Sequence, residues 1–112
     1  MMKKFEVWLA NLNPSRGTEL GKIRPVLILQ NSDLAETHTS TLMCPFSSSD
    51  WRENRFRVKC DKEEIGLRRN SYLVLDQIRA LDNRRFIEKL GEMPQNHRAQ
   101  IDHTIKILFD LT

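Results

Sequence analysis

Helical periodicity is confined to one end of this chain. Behind Pro94, the segment PQNHRAQIDHTIKILFDL places Ile101, Ile105 and Leu108 at i, i+4 and i+7, with Ile107 and Leu111 widening the stripe. That spacing predicts an amphipathic helix with proline at its opening. Everything upstream is short apolar or alternating runs separated by turn formers, the pattern of successive β-strands. The expected architecture is therefore mainly β: an antiparallel sheet or small barrel plugged by one C-terminal helix.

The individual runs support this. FEVWLANL (5–12) reads as a strand with Phe5, Val7 and Leu9 on one face, ended by Asn13 and Pro14. Val26 to Leu29 is apolar on both faces, which predicts a central strand. Pro25 lacks an amide hydrogen, belongs at the start or edge of that strand, and pushes Arg24 towards extended geometry. Residues 37–46 read as a third strand. RFRVKC (55–60) predicts Phe56, Val58 and Cys60 inward with Arg55, Arg57 and Lys59 in water. DKEEIGLRRN reads as a turn, or one helical turn closed by Gly66. SYLVLDQI (71–78) and residues 86–91 complete the strands. No repeat or linker divides the chain, so one domain spanning 1–112 is expected.

Charge is mildly informative. Eighteen Lys and Arg against fifteen Asp and Glu give a formal charge of +3, and position matters more than that sum. Arginines cluster at 52, 55 and 57, at 68 and 69, and at 79, 84 and 85. Each cluster is equally consistent with a solvated face and with an anion contact. Cys44 and Cys60 sit in apolar runs without metal-ligand spacing and read as reduced core thiols. His97 and His103, six residues apart on the helix, point to opposite faces and do not form a shared metal site. No apolar leader or bilayer-length run is present, so a cytoplasmic protein without membrane contact is expected. Trp8 is expected in the core and Trp51, in the polar loop after CPFSSS, at a stacking or protein contact.

The stretch GTELGKIRPVLILQN, Gly17 to Asn31, has glycines and a lysine before an apolar run, like a phosphate cradle. It is not a nucleotide-binding P-loop. Its glycines are one residue too close, Ile23 stands where Ser or Thr would hold magnesium, and a strand rather than a helix follows. What remains is a polar loop delivering Glu19, Lys22 and Arg24 to the lip of a buried strand.

Three separated segments resemble one family. GTELGKIRPVLILQN resembles the G-x-E-x-x-x-x-R-P-V-x-x-x-x-N signature of the MazF/PemK toxins. CPFSSS resembles their P-[IV]-T-[ST] segment, and LDQIRALD is similar to their D-Q-x-[RK]-x-[IL]-D segment. The resemblance implies an SH3-like barrel sheet with added helices, the fold shared with the gyrase-poisoning CcdB type. It further implies a homodimeric toxin endoribonuclease that cuts single-stranded mRNA at short sequences without a metal or other cofactor. Its implied partner is a cognate antitoxin, and DNA would be met only indirectly, through that antitoxin. A nonenzymatic binding protein of the same fold is the alternative.

The resemblance also implies roles. Arg24 matches the catalytic arginine, whose planar fork suits two phosphate oxygens. Ser47 matches the catalytic threonine and keeps its hydroxyl, with Ser48 a register neighbour that contacts substrate. Glu19 and Asp76 are candidates for a base or for base-edge contacts, and Lys22 and Gln77 for holding phosphates and bases. Thr18 stands where some relatives carry a histidine.

Overall fold

The computed structural model describes residues 2–48 and 56–111. The expectations for Trp51, Arg52 and Arg55 lie outside those residues. Among the described residues seven strands run in chain order: β1 Glu6–Asn11, β2 Ile23–Ile28, β3 Ser40–Ser47, β4 Arg57–Cys60, β5 Ser71–Val74, β6 Arg79–Asp82 and β7 Phe86–Glu92. Helix α1, Lys62–Ile65, follows β4, and α2, Gln95–Leu108, closes the fold. The sheet order is β4-β5-β3-β2-β1-β7, with β6 also pairing with β3. Each pairing is antiparallel. A mainly β fold with a C-terminal helix is thus what forms.

The apolar β2 run is central, between β1 and β3, and both of its faces are covered. Leu27 belongs to a core with Phe5, Val7, Phe46, Leu73, Met93 and Ile101. Val26 belongs to a second core with Ala10, Leu12, Met43 and Leu81, against which Trp8 and Phe86 pack. Alternation along a pleated strand assigns successive side chains to the two cores. Burying a Leu or Val this completely contributes about 2 kcal/mol each, so the Val26–Ile28 part of β2 is firmly held. Pro25 sits inside the strand opposite Leu9, with Arg24 opposite Ala10.

Four expectations are corrected. The run SYLVLDQI is not one strand: β5 ends at Val74, and Leu75–Gln77 is a 3₁₀ turn. That turn lets Leu75 stay buried while Asp76 swings to solvent. The chain then re-enters the sheet as β6, a four-residue strand too short to announce itself in the sequence. Arg57 does not face water, since its side chain is only 12% exposed and lies 3.9 Å from the Asp76 carboxylate. Ile107 and Leu111 do not widen the helix's buried stripe and stay exposed, whereas Ile101 is buried and Ile105 packs on the core. The third strand starts at Ser40 rather than at Thr37.

Helix α1 ends as Gly66 suggests. Gly66 is left-handed, with φ 72°, and the Leu67 amide closes on the Lys62 carbonyl. Cys44 and Cys60 are free and buried, and burial pushes both thiols up, Cys60 to about 12. They are inert at neutral pH.

Candidate active site

Arg24 stands where the polar loop meets the buried strand. Its Nε donates to the Gly21 carbonyl at 2.8 Å and its Nη1 to the Phe46 carbonyl at 3.3 Å. The guanidinium is therefore held by the loop on one side and by β3 on the other. Partial burial pulls its pKa below the ordinary arginine value, yet a guanidinium stays charged at neutral pH. Gly21 permits this approach. A Cβ there would lie 2.5 Å from Ser15 Oγ and 3.0 Å from Asn13 Oδ1, and that same Asn13 oxygen accepts from the Lys22 amide at 2.8 Å.

The β2–β3 register pairs Val26 with Pro45 and Leu27 with Cys44. Continued towards the strand end, it sets Ser47 opposite Arg24. Ser47 is nevertheless only 1% exposed. Ser48 is exposed and lines a cavity of about 660 Å³ together with Lys22, Arg24 and Pro25. Of the two described serines that line this cavity, Ser71 is buried and donates to the Arg69 carbonyl at 3.1 Å, while Ser48 is exposed. Of the pair expected as catalytic hydroxyl and substrate contact, Ser47 is thus placed inside and Ser48 at the cavity. Successive residues of an extended chain face opposite ways, which sets Ser47 inside and Ser48 at the cavity.

The other expected site residues gather elsewhere. Glu19, Asp76 and Gln77 line a second cavity of about 620 Å³ with Arg57. Gln77 is occupied as a latch: its Oε1 accepts from the Leu20 amide at 3.2 Å and its Nε2 donates to the Thr18 carbonyl at 3.1 Å. Glu19 accepts from the Arg16 amide at 2.9 Å and pairs with Arg79 at 3.1 Å. Those hydrogen bonds, the backbone one foremost, hold its carboxyl below the usual range. Arg79 also donates to the Leu12 carbonyl at 3.1 Å, and Arg85 donates to the Asn13 carbonyl. The 13–22 loop is thus clasped from β6 and its flanking turns at both ends.

Some contributors are invisible in the motifs. Leu9 pairs with Pro25 on one side and with Glu88 of β7 on the other, so these three share a face. Glu88 lines the Arg24 cavity, as neither Glu19 nor Asp76 does. No sequence signal marks it, because only the β1–β7 register brings it there. Arg68 and Arg69 line the same cavity, and their doubled arginine was the available clue. Among the described residues, no three His, Cys, Asp or Glu side chains are grouped to hold a metal ion. None of the described helices is long and apolar enough to cross a membrane.

The chain is thus an antiparallel sheet closed by a C-terminal helix, with a polar loop before its central strand and an arginine and a serine at one cavity. Residues 3–109 match the model of the PemK-like, MazF-like toxins of type II toxin–antitoxin systems, and the chain belongs to that family. It is 30% identical over 113 aligned residues to the endoribonuclease MazF of Staphylococcus epidermidis, covering 99% of this chain and 93% of that protein. The fold is similar to the crystal structure of MazF from Deinococcus radiodurans, with a TM-score of 0.84, 24% identity, and 97% and 96% of the two chains covered. It is also similar to that organism's MazE-MazF structure, at TM-score 0.80 and 23% identity, covering 99% and 98%.

Proposed function

We propose that this chain is the toxin endoribonuclease of a type II toxin–antitoxin pair, cutting single-stranded mRNA at short sequences with its own side chains. The observation that carries this reading is the shared cavity of Arg24 and Ser48, with its cationic rim. In the reaction, the ribose 2′-oxygen attacks the adjacent phosphorus and gives up its proton. The P–O5′ bond breaks and O5′ gains a proton, leaving a 2′,3′-cyclic phosphate and a 5′-hydroxyl. Arg24, fixed at its base by two backbone carbonyls, keeps its remaining N–H groups for the oxygens on which charge grows. Ser48 offers a donor and acceptor beside them. Glu88 is the carboxylate bordering the same space, available to accept a proton.

The protein works as a homodimer, and a cognate antitoxin restrains it; the MazE-MazF structure of a fold neighbour supports the antitoxin. An antitoxin segment that orders on binding would meet the cost of that ordering with contacts to this groove. Incubation of the purified protein with mixed transcripts in EDTA should yield discrete fragments bearing 5′-hydroxyl and cyclic phosphate ends. Intact RNA, with the protein's circular dichroism unchanged, would exclude the nuclease reading.

A further inference from the structure

Loop 66–70 is built as a fixed platform for two outward arginines. On its α1 side, Ile65 is buried and Leu67 packs on the core. On its β5 side, Asn70 Oδ1 accepts from the Lys62 amide at 2.9 Å and Ser71 opens the strand. The α1 turn lies hard against β7. A Cβ on Gly66 would meet the Leu90 carbonyl at 3.2 Å, and one on Gly91 the Ile65 carbonyl at 3.1 Å. Between these anchors Arg68 and Arg69 are exposed. Neither guanidinium has an ion pair or hydrogen bond to another described residue.

Four cations, Lys22, Arg24, Arg68 and Arg69, line this cavity with one carboxylate, Glu88. Lys22 and Arg24 come from the β1–β2 loop and β2, while Arg68 and Arg69 come from a loop more than forty residues later in the chain. Like charges held at one opening repel one another, and an anion relieves that repulsion. We infer that Arg68 and Arg69 form a second phosphate subsite, which grips the RNA backbone at a phosphodiester flanking the one at Arg24. This assignment rests on the nuclease reading and deepens it. An RNA strand is favoured over an acidic polypeptide because the two arginines open onto the same cavity as Arg24 and Ser48. A strand whose scissile phosphate lies at Arg24 has these two cations along the lining of the same cavity.

The test uses the full chain and a mixed-sequence 2′-O-methyl RNA dodecamer, which cannot be cleaved through the 2′-oxygen. Binding is followed by anisotropy across a salt series. The R68A/R69A double variant should weaken binding about two- to fivefold per arginine, the scale of an exposed charge pair. The slope of log affinity against log salt should shrink by about 0.7 per lost phosphate contact. On cleavable transcripts the loss should fall on KM, and R68K/R69K should restore most of the binding, because a point charge suffices for a phosphate. An unchanged salt slope in the alanine variant overturns the subsite, as does a lysine variant as impaired as the alanine one. Loss of poly-glutamate binding with RNA binding intact overturns it in favour of an acidic polypeptide. If the wild-type chain itself cuts no RNA, the parent reading has failed, and the subsite falls with it for a distinguishable reason.

Discussion

The Arg24 guanidinium reaches across from β2 to donate to the Phe46 carbonyl on β3 at 3.3 Å, while its Nε holds the Gly21 carbonyl at 2.8 Å. One side chain therefore ties the loop, the central strand and the hydroxyl-bearing end of β3 together. Charge alone does not do this, since two differently oriented donors are used before any substrate arrives.

Arg24→Ala should lower kcat by at least about 10²- to 10³-fold, the usual cost of removing one preorganised donor from a developing oxyanion. Arg24→Lys keeps the charge but cannot reach both carbonyls and a phosphate, so it should recover little. Single-turnover cleavage with circular dichroism as a fold control measures this. A lysine variant near wild-type activity would show that the fork geometry is irrelevant.

The two serines should separate. Ser48→Ala removes a hydroxyl from the Arg24 cavity and should cost roughly 10²-fold in kcat with little change in melting temperature. Ser47→Ala, at a buried position, should do the reverse, destabilising by about 1 kcal/mol with activity retained. Measured kcat and thermal melts on the two variants decide it. The opposite outcome returns the catalytic role to Ser47.

Gln77 should behave as a latch. Its amide satisfies one donor and one acceptor of the loop, at Leu20 and Thr18. Gln77→Ala should release the loop by about 1–2 kcal/mol, read as faster hydrogen exchange at the Leu20 amide and a raised KM. Gln77→Glu keeps the acceptor but not the donor and should fall between. Exchange unchanged in both variants would mean that Gln77 instead serves only the substrate.

Glu6 links stability to pH. Burial pushes its carboxyl up, but the Lys3 amide, the Trp8 indole and the Lys89 ammonium outweigh this and hold it below the usual 4.5. A depressed folded pKa means the stabilisation is fully present above the unfolded value and is lost as pH falls through the folded one. Melting temperatures of wild type and Glu6→Gln should therefore differ at pH 7 and converge in acid below pH 4.5. A gap that persists in acid would place the effect in packing rather than in charge.

Much of this was legible in the sequence, and the failures share a cause. The loop, Arg24 at the strand's lip, the central position of β2, the Gly66 stop and the C-terminal helix all follow from local chemistry: proline, glycine, and periods of two or 3.6. Which serine faces the cavity does not, because that turns on how one strand ends. Glu88 joins Arg24 only through strand pairing across β1, and Arg57 is drawn inward although alternation alone predicts water. Gln77 and Glu19 belong to the motifs, yet their use as clasps depends on contacts nearly sixty residues apart in the chain.

The double covering of β2 has a consequence for how such an enzyme diversifies. Arg24 is rooted in a strand whose next residues, Val26–Ile28, are buried, so selection has little freedom there. Lys22, at the end of loop 13–22, and Arg68 and Arg69 of loop 66–70 border the same opening and carry no comparable packing duty. Changes of RNA target are expected to accumulate in those two rims while the chemistry beneath them stays put.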